Sequence, residues 1–357
     1  MVLHCSALEH NIAVMARYCA DHGLLLAPHG KTTMAPQIFA AQIEAGAWGM
    51  TAATAGQAQV MRAFGAGRIV IANEVVDPGA LRWVARELDA DPGLELLALV
   101  DSVAAVERMD RVLGLEGARR RLDVLVELGV PGRRAGQRGA AGAREVAAAA
   151  VRARHLRLAG LECFEGVAGS RLDADALVGL VVAVAADLDG AFETDEITVS
   201  AGGSVYFDRL GPLLACDLSR PSRVLARSGC YVTHDHGLYA GASPLAHALR
   251  PALELWGEVL SRPEPGLAIV NAGRRDAPYD SGLPVPLRRR DGSPLAGWTT
   301  SELNDQHAFL RGDGPPLGVG DLVGFGISHP CTAFDKWRVI PVVDDDLRVV
   351  SAIRTFF

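Results

Sequence analysis

Ala27-Pro28-His29-Gly30-Lys31-Thr32-Thr33 closes the first strongly apolar run of the chain, Leu24-Leu25-Leu26. If that run is a buried strand, side chains alternate across it, so His29 and Lys31 leave its carboxyl end on the same side. A barrel enzyme keeps its chemistry at that end. A lysine partly shielded from water there has a lowered pKa, and its neutral amine can form a Schiff base or act as a general base. Taken alone, the stretch reads equally well as a surface lysine in a loop. A second candidate lies far along the chain, in Ser328-His329-Pro330-Cys331-Thr332-Ala333-Phe334-Asp335-Lys336-Trp337. In an extended segment His329 and Cys331 share a face, and an imidazole with a thiolate suits zinc. Two protein ligands are too few for a structural site, so the pair implies an open, catalytic metal if it binds one at all.

The elements around these residues alternate. Ser6 and Glu9 have capping-box spacing, and Leu8, Ile12, Met15 and Cys19 share a helical face that Gly23 stops. Pro36 opens a second helix that ends at Gly46. Strands are expected at 24–28, 47–51, 68–72, 94–100, 122–128, 156–162, 196–200 and 223–231. Helical patterns at Gly56–Phe64, Ala80–Leu88, Val103–Leu113, Ala140–Arg154 and Ala174–Leu188 fall between most of them. This is the pattern of a (β/α)8 barrel. A doubly wound open sheet would alternate too, but no GxGxxG follows a first strand. Glycines cluster after the last two strands, at Gly202-Gly203-Ser204 and Ser228-Gly229-Cys230-Tyr231. Bare backbone N–H groups in those loops can surround a phosphate, although each cluster alone is also an ordinary turn. A phosphate at one end and a lysine at the other describe pyridoxal phosphate.

From about Leu249 the helical pattern gives way to short strands, expected at Leu253–Leu260, Leu267–Asn271, Asp321–Ile327, Trp337–Val343 and Arg348–Phe357. A loop-rich segment holding Pro278, Gly282, Pro284, Pro286, Gly292 and Pro294 lies among them. The expected division is therefore a barrel over 6–247 and a mostly β domain over 248–357. The 357 residues are 49% hydrophobic and 22% charged, enough for a sizeable core. A net charge of −7 with scattered lysines and arginines argues against nucleic acid or an anionic membrane as partner and for a small molecule. The start carries no basic region ahead of a long apolar stretch, and no run reaches a membrane span, so a cytoplasmic protein is expected. The six cysteines lack CxxC spacing, which argues against a disulfide framework. His234-Asp235-His236 has chelate spacing but reads better as a loop. His307 could support the metal or sit exposed, and Asp276 and Tyr279 occupy a glycine-bounded loop.

Pro28-His29-Gly30-Lys31-Thr32, Arg134-Ala135-Gly136, Ser200-Ala201-Gly202-Gly203-Ser204, Arg227-Ser228-Gly229-Cys230-Tyr231 and His329-Pro330-Cys331 resemble, in order and spacing, the fold-type III pyridoxal-phosphate enzymes. The match falls in the D-serine dehydratase and D-threonine aldolase branch, often labelled amino acid deaminase, and spans nearly the whole chain. The resemblance implies an alanine-racemase-like barrel, a C-terminal β domain that residues 1–5 could join, and a head-to-tail homodimer. It makes Lys31 the cofactor lysine, with His29 beside it. It puts Gly203, Ser204, Gly229 and Cys230 around the phosphate, with Tyr231 in the same loop, and Arg134 near the phenolic oxygen. Phe164 stands where many relatives have a tyrosine or histidine near the cofactor. Arg227 would face the pyridine nitrogen and keep it unprotonated, which weakens the ring as an electron sink and calls for a second electrophile.

In the dehydratases of this branch, a zinc on the His-x-Cys pair binds the substrate hydroxyl; the aldolases usually carry His-x-Asp. Cys331 therefore leans toward a pyridoxal-phosphate- and metal-dependent dehydratase of a D-β-hydroxy amino acid such as D-serine. Zinc suits the thiolate, and manganese or magnesium fits where carboxylate or water completes the shell. The runner-up is a metal-dependent aldolase. A non-enzymatic pyridoxal-phosphate protein would not need His329-Pro330-Cys331.

Overall fold

The structure is a computed structural model that describes residues 1–357, and the chain divides into two compact units, Ala16–Lys31 with Gln42–Gly229, and Met1–Met15 with Thr32–Ala41 and Cys230–Phe357. In the first unit eight strands pair in parallel: Leu25–Leu26, Ser222–Ala226, Ile197–Ala201, Leu156–Cys163, Leu122–Leu128, Glu95–Val100, Arg68–Glu74 and Met50–Ala52. The two ends of that path meet. Trp48 N–H donates to Leu26 O (2.7 Å), Thr51 N–H to Pro28 O (2.9 Å), and His29 bridges Thr51 in parallel. The ring is a (β/α)8 barrel, as the alternation of elements predicts.

The strands read as unbroken apolar runs because both faces are covered. Val70, Leu97, Leu99, Leu125, Ala159 and Leu225 form a buried cluster against which Trp48 and Ala72 pack. The helices start where side chains satisfy their first N–H groups. Thr54 accepts from Gln57, Asp77 from Ala80 with Pro78 behind it, Ser102 from Ala105, and Ser170 from Asp173. The Ser6 capping box is not used: the helix spans Cys5–Asp21, and the Ser6 hydroxyl donates to Asp345 at 2.6 Å. The first strand is only Leu25–Leu26, and the last stops at Ala226 instead of running to 231, because Cys230–Val232 is a 3₁₀ turn.

The second unit is mostly antiparallel. Its order is Trp298–Leu303, Ala308–Gly312, Leu267–Val270, Leu253–Glu264, Val2–His4, Val339–Val343 and Val349–Arg354, with Leu322–Gly326 on Leu253–Glu264 and Val285–Arg289 beyond it. Val285–Arg289 lies inside the segment whose prolines and glycines read as loop. Pro286 sits beside a bulge, between Pro286 and Arg288, in the pairing with Leu322–Gly326, and the strand's other edge carries only the isolated bridge Arg288–Pro294. Val2–His4 pairs antiparallel with Leu253–Glu264 and parallel with Val339–Val343. One buried carboxylate knits three strands here: Glu254 accepts from His4 Nε2 (2.9 Å) and from Arg288 Nε and Nη2 (2.9 and 2.7 Å). Burial opposes its charge, but the His4 and Arg288 hydrogen bonds outweigh burial and hold it at about 2. No helix is long and apolar enough to cross a membrane.

Two outcomes follow from these contacts. Leu125→Ala leaves a cavity in the barrel and should cost about 2–5 kcal/mol of unfolding free energy in denaturant titration, whereas Leu115→Ala, at a position 81% exposed, should stay within about 0.5 kcal/mol. Because the folded value of Glu254 is depressed, its stabilisation is present above the ordinary glutamate range and is lost as pH falls from about 4.5 toward about 2. The stability gap between wild type and Glu254→Gln should shrink across that window; a constant gap would contradict the assignment.

Candidate active site and metal-binding group

In the barrel unit, the alternation argument for His29 and Lys31 fails in detail, because the strand ends at Leu26 and Lys31 sits half-buried on the 3₁₀ turn Gly30–Thr32. His29 holds the closing bridge to Thr51. Burial, then the charges of Lys31, Arg227 and Arg134, push its imidazole well below the usual histidine range against an opposing hydrogen bond to the Thr51 backbone. His29 is therefore neutral at pH 7, and its buried Nδ1 has no hydrogen-bond partner.

Arg227 is buried and donates Nη2 to Glu162 and to Cys163 O (2.9 Å), while its Nε is left without a partner. Burial raises Glu162, and Arg227 and Arg134 limit that rise. Phe164 carries the Arg134 guanidinium over its ring, 4.4 Å from the centroid. Phe164 thus holds a cation by its π face. A Cβ on Gly203 would fall 2.5 Å from Phe164 Cε2, so only glycine lets the loop lie against that ring. Gly202 has φ +98°, a left-handed turn.

The sequence did not single out Glu165. Its carboxylate is wholly buried and accepts the N–H groups of Gly202 (2.8 Å) and Gly203 (2.6 Å). Burial raises its pKa against those two hydrogen bonds. The Gly203 N–H is therefore committed to Glu165, and what Gly203 offers a ligand is room. Ser204 is half-buried just after it, and Ser228 Oγ donates to Gly203 O at 2.5 Å. Gly229 follows in a buried stretch. The unpartnered Arg227 Nε and His29 Nδ1, with a glycine loop fixed from behind, fit a polar cofactor carrying a phosphate and a ring nitrogen.

In the other unit, His329 and Cys331 do come together, though by a different device from strand alternation. Pro330 turns the chain in αR (φ −60°, ψ −40°), and Cys331 opens the short helix Cys331–Phe334. The ligand atoms of Cys230, His329 and Cys331 all lie within 4.8 Å of one another. Donors of this kind and spacing fit a soft divalent metal. His329 Nδ1–H donates to Asp280 Oδ2 (2.6 Å), which leaves Nε2 as the ligand nitrogen, and Thr332 Oγ1 donates to Asp280 Oδ1 (2.7 Å). Burial works against the Asp280 charge, but the Thr332 and His329 hydrogen bonds outweigh it and hold the carboxyl below its usual range. Cys230 and Tyr231 are buried on the turn Cys230–Val232. Asp280 carried no sequence signal, since a loop aspartate 49 residues from His329 has no spacing to read.

The other candidates resolve into scaffold. Asp235 accepts N–H groups from Gly237, Tyr239 and Ala240 and starts the helix Leu238–Ala242; His234, at φ +48°, is buried and pushed down to about 4 by that burial. Asp276 accepts from Gly273 N–H and Gln306, His307 is exposed, and the Tyr279 ring lies under Arg274 and Lys336.

The family model "Alanine racemase, N-terminal domain" matches residues 3–221, well over half of the chain. The chain belongs to that family. It is a fold-type III pyridoxal-phosphate protein, and a second model, "Putative serine dehydratase domain", matches residues 252–343. Among its relatives, a D-threonine aldolase from Arthrobacter sp is 26% identical over 97% of this chain and 88% of its own. The D-threo-3-hydroxyaspartate dehydratase of Delftia sp. (strain HT23) is 28% identical over 88% of this chain and 83% of its own. The crystal structure of D-threonine aldolase from Filomicrobium marinum superposes with a TM-score of 0.82 at 25% identity, covering 99% of this chain and 94% of that one. The named relatives in this family are lyases.

Asp280→Ala should weaken zinc binding roughly 10- to 100-fold in a chelator competition. Thr332→Val, which keeps the carboxylate, should weaken it less. Equal affinity in Asp280→Ala and wild type would show that Asp280 does not orient His329.

Proposed function

We propose that this protein is a pyridoxal-phosphate- and zinc-dependent dehydratase that deaminates a D-β-hydroxy amino acid such as D-serine to a 2-keto acid and ammonia. The observation that carries the reading is the donor group at His329 and Cys331, an imidazole and a thiol rather than an imidazole and a carboxylate, in a chain of this family. When bound, the cofactor supplies an electron sink for the α-carbon, and the metal supplies a Lewis acid for the β-hydroxyl.

Lys31 would hold the cofactor and, once the substrate amine has displaced it, would take the α-proton on its freed amine. The electron pair of the broken C–H bond forms the Cα–Cβ double bond, and the β-oxygen departs with the pair of its own bond as hydroxide. His329 and Cys331 would hold the ion, which would supply the Lewis acid for that oxygen. The released enamine hydrolyses to keto acid and ammonia. His29, neutral, adds no charge beside Lys31 and can hydrogen-bond through Nδ1. Arg134, steadied on Phe164, faces the phenolic oxygen. Arg227 serves the ring nitrogen through Nε, since Nη2 is committed to Glu162 and Cys163. Ser204 with the Gly229 and Cys230 backbone takes the phosphate, and Glu165 keeps Gly202 and Gly203 in the shape that admits it. A homodimer belongs to the same reading and rests on the family resemblance.

A second reading is favoured by the D-threonine aldolases among the relatives: removal of the β-hydroxyl proton and cleavage of Cα–Cβ, giving glycine and an aldehyde. Product analysis separates the two. With D-serine and D-threonine we expect pyruvate and 2-oxobutanoate, each with one ammonia, and little glycine. Lys31→Ala and His329→Ala should each lose most turnover, and His329→Ala should keep the cofactor's visible absorption. Glycine and acetaldehyde from D-threonine without keto acid would replace the dehydratase with the aldolase.

A further inference from the structure

Cys230 stands in a glycine loop, where its backbone reads as a phosphate donor. Its side chain has a separate position. Cys230 Sγ lies 3.3 Å from Cys331 Sγ, and both sulfurs share the 4.8 Å donor group with His329. Two thiols this close are suited to a hydrogen bond, a disulfide or a shared metal. A disulfide requires the sulfurs to close to about 2.05 Å, a contraction of more than an ångström. A tetrahedral zinc with Zn–S bonds of about 2.3 Å sets its two sulfurs about 3.8 Å apart, so the pair has only to open by about half an ångström. The third donor is ready: Asp280 holds His329 by Nδ1, which turns Nε2 into the ligand atom. The surroundings also suit anionic sulfur. Thr32 Oγ1 is 3.3 Å from Cys331 Sγ and 3.8 Å from Cys230 Sγ, where its hydroxyl can donate to a thiolate.

We propose that Cys230 is a third protein ligand to the metal, making a two-thiolate, one-imidazole zinc site with a single open position. The proposal rests on the metal reading above and goes beyond its His329 and Cys331 pair. Three protein ligands and one exchangeable position is the arrangement of catalytic zinc, and two thiolates neutralise the charge of the ion. Soft ligands in that number select zinc against manganese and magnesium, which prefer oxygen. The open position takes one oxygen, so the substrate hydroxyl enters by displacing a single water. Cys230 then serves two sites at once, its backbone in the glycine loop and its sulfur on the metal.

Zinc-edge X-ray absorption on the full-length wild-type protein, loaded with one equivalent of zinc, tests this without any substitution. Two sulfurs at about 2.3 Å with two lighter ligands are expected. One sulfur among lighter ligands would overturn the role of Cys230 while leaving the metal on His329 and Cys331. Failure to retain zinc at all would remove the metal reading itself. As a second measurement, the cobalt-loaded protein should show a thiolate-to-cobalt charge-transfer band that Cys230→Ser cuts to about half, with zinc affinity falling at least tenfold and the melting curve of the metal-free protein unchanged. An undiminished band in a folded Cys230→Ser protein would refute the proposal.

Discussion

Closure of the parallel ring is the constraint on which the barrel depends, and it is achieved with very little chain. The first strand contributes two residues, and the seam is completed by backbone bonds from Trp48 to Leu26 and from Thr51 to Pro28. A longer strand would have carried Lys31 further along the barrel axis with its direction set by the pleat. The short one releases the chain at the rim, where Gly30–Thr32 winds into a 3₁₀ turn. His29, the last residue in the seam, cannot move without opening it, and its neutrality follows from the same burial.

Inside the barrel, charge is distributed so that few groups are ionised without a partner. Burial raises Glu127, with Glu162 and Glu74 adding to the rise, and Glu162 is raised in turn but restrained by Arg227. A carboxyl that stays protonated can donate a hydrogen bond and sit beside another carboxyl at little cost. Glu165 acts differently. With both oxygens on glycine N–H groups, it substitutes for the turn hydrogen bonds that the loop lacks. A buried side chain here sets the backbone shape of a glycine-rich loop.

The barrel was legible because its strands are apolar on both faces and its helices begin at Thr54, Asp77, Ser102 and Ser170, residues that cap by their own chemistry. Strand ends were less so. Residues 223–231 are uniformly compatible with a strand, but Arg227 leaves the ladder to meet Glu162, a partner 65 residues away. Val285–Arg289 was hidden by Pro286, which an edge strand tolerates and a local reading takes as a breaker. His329 and Cys331 were recognisable as a pair from their types and spacing. Cys230, 101 residues from Cys331, and Asp280 were invisible as companions, because only the tertiary structure brings them near. Ser6 shows the opposite failure, a correct local signal overridden by a distant acceptor, Asp345.

The strand Val2–His4 lies between Leu253–Glu264 and Val339–Val343, so it is held by two segments far along the chain, with Val2 opposite Glu254 and Leu3 opposite Val342. On a ribosome, that sheet cannot close until about residue 343 has emerged, and Leu3, wholly buried in the folded structure, waits without Val342 until then. The barrel strands, each paired mostly with the next in sequence, face no such delay. Contacts of such long range are slow to form, and an apolar end left waiting is exposed to aggregation. Assembly of that sheet, whose strand Leu322–Gly326 leads into His329 and Cys331, thereby has to follow synthesis of all the barrel strands.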